Sequence, residues 1–527
     1  MKAIKKYLCF AIVSLMAVSC TDILDTNPEG RMMTASQKRE ASEKNPELIS
    51  ADVNAMYALM IQAFEGLGEA EEFHTDFGYA SVCMFLDKNG QDIYSINGGY
   101  NWFTRSQSFT DRVYTSPEAE MVWVDFYKQI RAANEILNII DADEDNPVLL
   151  QYRGQALAYR AFNYFNLAQM YQFNYAGNQT KPCVPIITEA TTDDVPRSTV
   201  EEVYTLVMDD LNAAIENLKG YSRPTKGFID QAVAYGIKAQ VNLTMQNWSA
   251  AAADAAEALR LSKATPYTLT QVSSPTFNSA KAASVIWANI VVPDNDIVET
   301  GIINWPSHMC SFSGNGYVSV GAYRYISRLL YDQIPNTDVR KGWWLDESLQ
   351  SPLVAGSKYD AWRAAAYTLQ PYVNVKFGAY EDQPMNETNS QDWTIMRAEE
   401  MLFIQAEGLA MSGDIAGGKQ ILENFVKTNR NSAYVCSANN PADFQNEIFM
   451  QRRIEFWGEG KSYFDIMRLN KPITRIENGI SSYPTAHQFN IAGGDQILLW
   501  IIPQAEIQAN TTLNEGDNNP TVPAPRP

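Results

Sequence analysis

Residues 229–261 read IDQAVAYGIKAQVNLTMQNWSAAAADAAEALRL. Small residues stand at Ala239 in the first half and at Ala251, Ala255 and Ala258 in the second. Residues three and four apart share one face of a helix, so the second group forms a stripe without bulk. Met245-Gln246-Asn247 breaks the period between the halves. Two helices, 229–243 and 248–261, are therefore expected to fold back on one another, their small faces allowing close approach.

A second unit of the same kind spans Trp393–Arg430. Ala406 and Ala410 lie on its first helix, Gly413-Asp414 forms the turn, and Gly418, Leu422 and Phe425 lie on its second. These offsets are similar to the tetratricopeptide pattern. Upstream, Val122, Phe126, Ile130, Ala133, Leu137 and Ile140 make an amphipathic stripe over Met121–Ile140. Pro147 opens the next helix, whose Gln155–Tyr171 carries Ala158, Phe162, Phe165, Ala168 and Tyr171, and Thr199–Leu218 follows. A first helix is expected near Ala51–Phe64, and residues 73–116, which lack helical period, read as a long loop. Residues 265–392 are rich in Pro, Gly, Trp and Tyr, with β-like runs at Ser284–Val292 and Tyr372–Phe377. The fold class is thus mainly α: a tetratricopeptide-like helical-repeat scaffold with an irregular, partly β insertion. The divisions are 1–19 leader, 20–50 tether, 51–264 N-terminal helical region, 265–392 insertion, and 393–527 C-terminal helical region.

Composition narrows the functions. With 527 residues, 46% hydrophobic and 11% aromatic, the chain has too much core material for a disordered protein. Its net charge is −20, and loss of a leader carrying Lys2, Lys5 and Lys6 makes it −23. Such a polyanion does not bind nucleic acid by bulk charge. Lys2, Lys5 and Lys6 are followed by an apolar run, Tyr7–Val18, far shorter than the ~20 residues that span a bilayer. Leu15-Met16-Ala17-Val18-Ser19-Cys20 resembles a bacterial lipobox, which makes Cys20 the expected lipidation site. Cys83, Cys183, Cys310 and Cys436 are far apart and in no C-x-x-C, so no zinc site is expected and buried thiols are the plainer reading.

Further motifs follow in order. Asp22-Ile23-Leu24-Asp25 with Pro28 comes after the Cys. Then come Trp123-x-x-Phe126-Tyr127-x-x-Ile130-x-x-Ala133-Asn134-x-Ile136-Leu137, Arg160-Ala161-Phe162-x-Tyr164-Phe165-x-Leu167 with Val184-Pro185, and Val195-Pro196-Arg197-Ser198-Thr199-x-x-x-Val203-Tyr204 with Asp210-Leu211. Met396-Arg397-x-x-Glu400-x-Leu402, Arg452-Arg453-x-Glu455-Phe456-x-x-Glu459-Gly460, Phe464-Asp465-x-x-Arg468 and Ile502-Pro503-x-x-Glu506-x-x-x-Asn510 close the series. Together with the lipobox and the interrupted helices, this order resembles the SusD/RagB family of Bacteroidetes, surface lipoproteins that capture nutrients, mostly glycans. Gln451 and Ser462 depart from the family pattern, in place of its usual Glu and Arg. The resemblance implies a non-enzymatic receptor anchored in the outer membrane through Cys20 and exposed at the cell surface. It would act as a lid for a TonB-dependent SusC-like β-barrel transporter and hold an oligosaccharide or polysaccharide. Two alternatives stay open: a lid for peptides or another nutrient, and a structural lid over a ligand held by the transporter.

Catalytic patterns are sparse. His74, His308 and His487 are scattered, and H-E-x-x-H, G-x-S-x-G and Gly-rich phosphate loops are missing. Asp87-Lys88-Asn89-Gly90-Gln91-Asp92 has its Gly too early for a calcium loop. No cofactor and no metal are expected. Sugars offer flat C–H faces rimmed by hydroxyls, so a binder wants exposed rings flanked by hydrogen-bonding groups. Gly98-Gly99-Tyr100-Asn101-Trp102-Phe103-x-Arg105 is one aromatic cluster outside the helical stripes. Asn304-Trp305-x-x-His308 with Phe312, Asn315 and Tyr317 is another, and Trp343-Trp344 a third. In glycan-binding relatives an aromatic arc comes from a loop before the long helices and from the insertion, and Tyr100, Asn101, Trp102 and Trp305 fall in those regions. They are the expected ligand contacts. Trp123, Trp248, Trp393 and Trp457 read as core on helical stripes and Trp287 as core on a strand. One of Trp343 and Trp344 is expected to face out, and Arg397 and Glu400 to pair along one helix.

Overall fold

The structure, a computed structural model, describes residues 33–68, 73–96, 100–189 and 194–527. The leader, Cys20, the Asp22–Asp25 motif with Pro28, and Gly98-Gly99 lie outside the described residues. Before the insertion run α1 (Ala35–Lys44), α2 (Ser50–Ala58), α3 (Tyr79–Asn89), α4 (Pro117–Leu137), α5 (Pro147–Tyr171), α6 (Val200–Asn217), α7 (Gln231–Thr244) and α8 (Trp248–Ser262). After it run α9 (Ala398–Met411), α10 (Ile415–Asn429), α11 (Pro441–Glu455) and α12 (Ser462–Arg468). Local chemistry starts them. Asn146 caps α5 ahead of Pro147, Thr199 and Glu202 form a capping box on α6, and Asp230 accepts from Val233 N–H at the head of α7.

Helices α4 to α8 pack each on the next, α8 then packs on α9, and α9 on α10. The stack therefore resumes across the insertion. The small residues lie at these seams: Ala239, Ala251, Ala255, Ala258, Ala406 and Ala410 are fully buried. Two glycines let backbones touch. A Cβ on Gly408 would stand 2.5 Å from the Trp248 carbonyl oxygen, and one on Gly418 2.6 Å from that of Ala406.

Strands are short and form four antiparallel pairs: β1 (Ile93–Tyr94) with β5 (Tyr325–Ile326), β2 (Pro182–Pro185) with β3 (Arg197–Thr199), β4 (Val285–Asn289) with β6 (Trp393–Arg397), and β7 (Ile473–Thr474) with β8 (Asn490–Ile491). The pairing of Asn289 with Trp393 and Val285 with Arg397 closes the insertion at its base.

Several expectations are corrected. Trp393–Arg397 is a strand, not the start of a helix; an apolar run buried along most of its length carries no period that separates the two. Residues 73–116 contain α3, whose residues are all buried, so it has no polar face to reveal it. The stretch expected as tether carries α1, where Arg39 donates to the carbonyls of Asn138 (2.6 Å) and Ile139 (3.1 Å). Tyr372–Phe377 makes isolated bridges rather than a strand. Trp343 and Trp344 are both buried, and Trp248 is only half-buried.

A buried ionic network joins insertion to scaffold. Glu455, at the end of α11, accepts from Arg397 (2.9 Å), Arg430 (2.7 Å) and Arg340 (3.4 Å). Glu459 accepts from Arg397 (2.9 Å) and from Lys376 of the insertion (2.7 Å). Arg397 does not pair with Glu400. It is extended (φ −142, ψ 162), so helical i, i+3 geometry does not apply, and Glu400 instead meets Lys461 at 3.2 Å. Gln451 accepts from Arg340 (2.6 Å), and Ser462 donates to Asp92 (3.1 Å). Cys83, Cys183, Cys310 and Cys436 are free and buried. Among the described residues no helix is long and apolar enough to cross a membrane, and no His/Cys/Asp/Glu group is arranged to hold a metal.

Candidate ligand-binding surface

Tyr100, Asn101, Trp102 and Phe103 lead into the short helix Thr104–Ser108, and their side chains alternate outward and inward. Tyr100 is 57% exposed and Trp102 36%, while Asn101 and Phe103 are buried. Phe103 packs against Phe85 and Phe77, with ring centroids 4.9 and 6.2 Å away. Asn101 Oδ1 accepts from Arg324 Nη1 at 2.9 Å, and its Nδ2 donates to the Ile96 carbonyl. The Asn101 carbonyl in turn takes the Thr104 hydroxyl at 2.6 Å. Two exposed rings thus flank two buried anchors.

Behind them stands a column of rings from other parts of the chain. Trp102 stacks on His74 at 4.5 Å and 27°. His74 Nδ1 is hydrogen-bonded to the Tyr317 hydroxyl. The Tyr317 ring lies 5.8 Å from Tyr100 and 6.2 Å from Trp102, and it stacks on His308 at 4.6 Å and 25°. His308 stacks in turn on Phe77, and its Nε2 donates to the His74 carbonyl at 3.1 Å. Burial, with the Arg324 charge, holds His308 well below its ordinary pKa, so the ring is neutral; burial pushes the Tyr317 phenol up to about 12. Each such ring pair contributes ~0.5–1.5 kcal/mol beyond burial. The result is a rigid ledge with two open ring faces.

Trp305 does not join the ledge. It is buried in the short helix Trp305–Met309, edge-on to Phe377 at 4.8 Å, and lines a small cavity of about 20 Å³ beside Phe77 and Trp393. A Trp beside a Pro in an aperiodic segment looks the same in sequence whether it faces in or out. Asn101, expected to meet ligand, is the anchor beneath the rings. Arg105 is exposed and pairs with Glu118 at 3.0 Å. His74 and Tyr317 complete the ledge. Tyr317 stands in an aromatic cluster legible in sequence, whereas His74 has no sequence signal beyond its aromatic neighbours.

A larger cleft of about 610 Å³ lies elsewhere, lined by Lys181, Arg197, Gln496 and Thr512 among others. Its Arg197 is spent within the protein, donating to the carbonyls of Cys183 (2.7 Å), Asp517 (2.6 Å) and Pro182 (3.0 Å) and to Asn519 Oδ1 (3.0 Å).

Comparison with known proteins agrees with this architecture. Residues 50–243 match a family model described as "Starch-binding associating with outer membrane", and residues 340–521 match one described as "SusD family". SusD-like protein P38 of Formosa agariphila is 24% identical over 407 residues, 67% of this chain and 72% of that one. A SusD-like carbohydrate binding protein from Bacteroides vulgatus shares the fold with a TM-score of 0.72 at 22% identity, over 92% of this chain and 98% of its own. A SusD superfamily protein from Bacteroides thetaiotaomicron does so with a TM-score of 0.70 at 20% identity, over 90% and 99%. The first matched segment lies before the insertion, the second begins within it and runs through the C-terminal helices, and the fold is shared along nearly the whole length: the chain belongs to the SusD/RagB family.

Proposed function

We propose that this protein is a cell-surface lipoprotein that binds glycans on the Tyr100–Trp102 ledge and acts as the lid of a TonB-dependent β-barrel transporter. The observation that carries the binding reading is the ledge itself. Two ring faces are left open to solvent yet fixed from behind by His74, Tyr317 and the Asn101–Arg324 bond. Open rings offer stacking surface for the C–H faces of sugars, and fixed rings lose little conformational freedom when they bind. The family descriptions of starch binding and of outer-membrane association support the ligand class and the location. The lipobox at Cys20 supports the anchor. The continuous helical stack supports the lid, since such a role calls for a broad, rigid face against the barrel. The absence of a catalytic motif in the sequence supports binding without turnover.

The test uses residues 21–527, glycan polymers in affinity gels, and calorimetry with oligosaccharides. Trp102→Ala and Tyr100→Ala are expected to weaken glycan binding ~10-fold or more, as for central aromatic contacts, with the fold retained and the thermal midpoint lowered only by the loss of each ring's contacts with His74 and Tyr317. Glycan binding that survives both substitutions rejects the ledge as the site.

A further inference from the structure

Among the described residues the exposed aromatic rings are Tyr100, Trp102 and Tyr367. Tyr367 follows the short helix Asp360–Ala365, far along the chain from the other two, yet it reaches the same turn. Tyr317, on which Tyr100 and Trp102 rest, opens the 3₁₀ turn Val318–Val320, and its carbonyl accepts the N–H groups of Val320 (3.3 Å) and Ala322 (2.9 Å). Gly321 ends that turn at φ +94, and the Tyr367 ring lies against it: a Cβ there would stand 2.7 Å from Tyr367 Cδ1. Val320, between Tyr317 and Gly321, is 47% exposed. One short turn therefore has the ledge at its start, an open apolar side chain in its middle and a third open ring at its end.

Tyr367 is held in place as the ledge rings are. Its backbone lies beside Tyr323, whose buried ring lies edge-on to Trp362 at 6.2 Å. The next residue, Thr368, takes a left-handed φ of 42, a conformation that a β-branched residue adopts at a cost. A ring that is 61% exposed, seated on a glycine and presented by a strained turn, is poor design for a core and good design for a contact.

Resting on the glycan reading of the ledge, we infer that Tyr367 is a second stacking position for the same ligand. The surface then takes a glycan chain running from Trp102 and Tyr100 across Val320 to Tyr367, in preference to a mono- or disaccharide. Once one end of a chain is held, contact at the other is intramolecular, so its contribution appears only for chains long enough to span both.

The experiment measures affinity against chain length. Residues 21–527 are titrated with malto-, cello-, xylo- and manno-oligosaccharides from disaccharide to heptasaccharide. Tyr367→Ala is expected to weaken the heptasaccharide of the bound series about 5- to 10-fold and to leave its shortest bound member within about twofold. Trp102→Ala weakens every length, and Tyr367→Phe, which keeps the ring, behaves as the parent. If Tyr367→Ala changes all lengths equally, or none while Trp102→Ala abolishes binding, the second position is wrong and the ledge stands. If the parent protein binds no member of any series, the glycan reading and the second position fail together.

Discussion

Asn101 stands between the two open rings of the ledge and turns the other way, into Arg324 and the Ile96 carbonyl. Arg324 is fully buried, and among the described residues its Nε and Nη2 have no partner, so the Asn101 oxygen is one of the few acceptors its charge meets. Asn101→Ala removes that acceptor and is expected to cost ~1–3 kcal/mol in denaturant unfolding. It is also expected to weaken glycan binding by releasing Tyr100 and Trp102, while Asn101→Asp, which keeps an acceptor for Arg324 but loses the donor to the Ile96 carbonyl, is expected to restore the ledge only in part. Loss of stability without any loss of affinity would separate the anchor from the rings. At this scale the sequence was legible where side chains lie outside a periodic stripe, as for Tyr100 and Trp102. The inward turn of Asn101, the burial of Trp305 and the arrival of His74 and Tyr367 depend on contacts between distant segments, which no local pattern encodes.

Among the elements, α11 ends on Glu455, where a strand end (Arg397), a helix end (Arg430) and the insertion (Arg340) converge. Burial alone would raise the pKa of this carboxyl, but Arg430, Arg397 and Arg340 hold it well below the usual range. Glu455→Gln leaves three buried guanidinium groups short of a counter-charge and is expected to cost about 3–5 kcal/mol, read as a lower denaturation midpoint. An unchanged midpoint would show that the network redistributes around the loss. The helix pairs were legible because small residues at three- and four-residue spacing mark a seam from one strand of text. Helix α3 and strand β6 were not, because an element buried on every side shows neither helical nor strand alternation.

For the whole molecule, the paired carboxylates set the response to acid. Glu455, Glu459 and Asp465 all have depressed folded pKa values, held down against burial by Arg430, Arg397, Arg452 and their neighbours. A depressed folded pKa contributes stability that is full above the unfolded value of ~4 and lost as pH falls below it. Unfolding free energy is therefore expected to drop steeply below about pH 4, and Glu455→Gln to make that acid limb shallower. A mutant limb as steep as the parent's would assign acid sensitivity to other carboxylates. The overall division into helical scaffold and insertion was legible from where helical period stops and returns. What sequence did not reveal is that the chain re-enters beside the helix it left.

That re-entry bears on how the chain folds. Helices α4 to α8 pack with sequence neighbours, so they can assemble in the order in which they emerge. The seam between α8 and α9 joins segments separated by the whole insertion, and the cost of closing such a loop must be met before the seam repays it. The β4–β6 pair closes the same loop a little further in, and Lys376 and Arg340 tie the inserted chain to Glu459 and Glu455. The insertion therefore acts as a timer: docking of the C-terminal helices closes a loop that contains the segment carrying Tyr317 and Tyr367, so the seam between α8 and α9 is expected to form after the α4 to α8 stack.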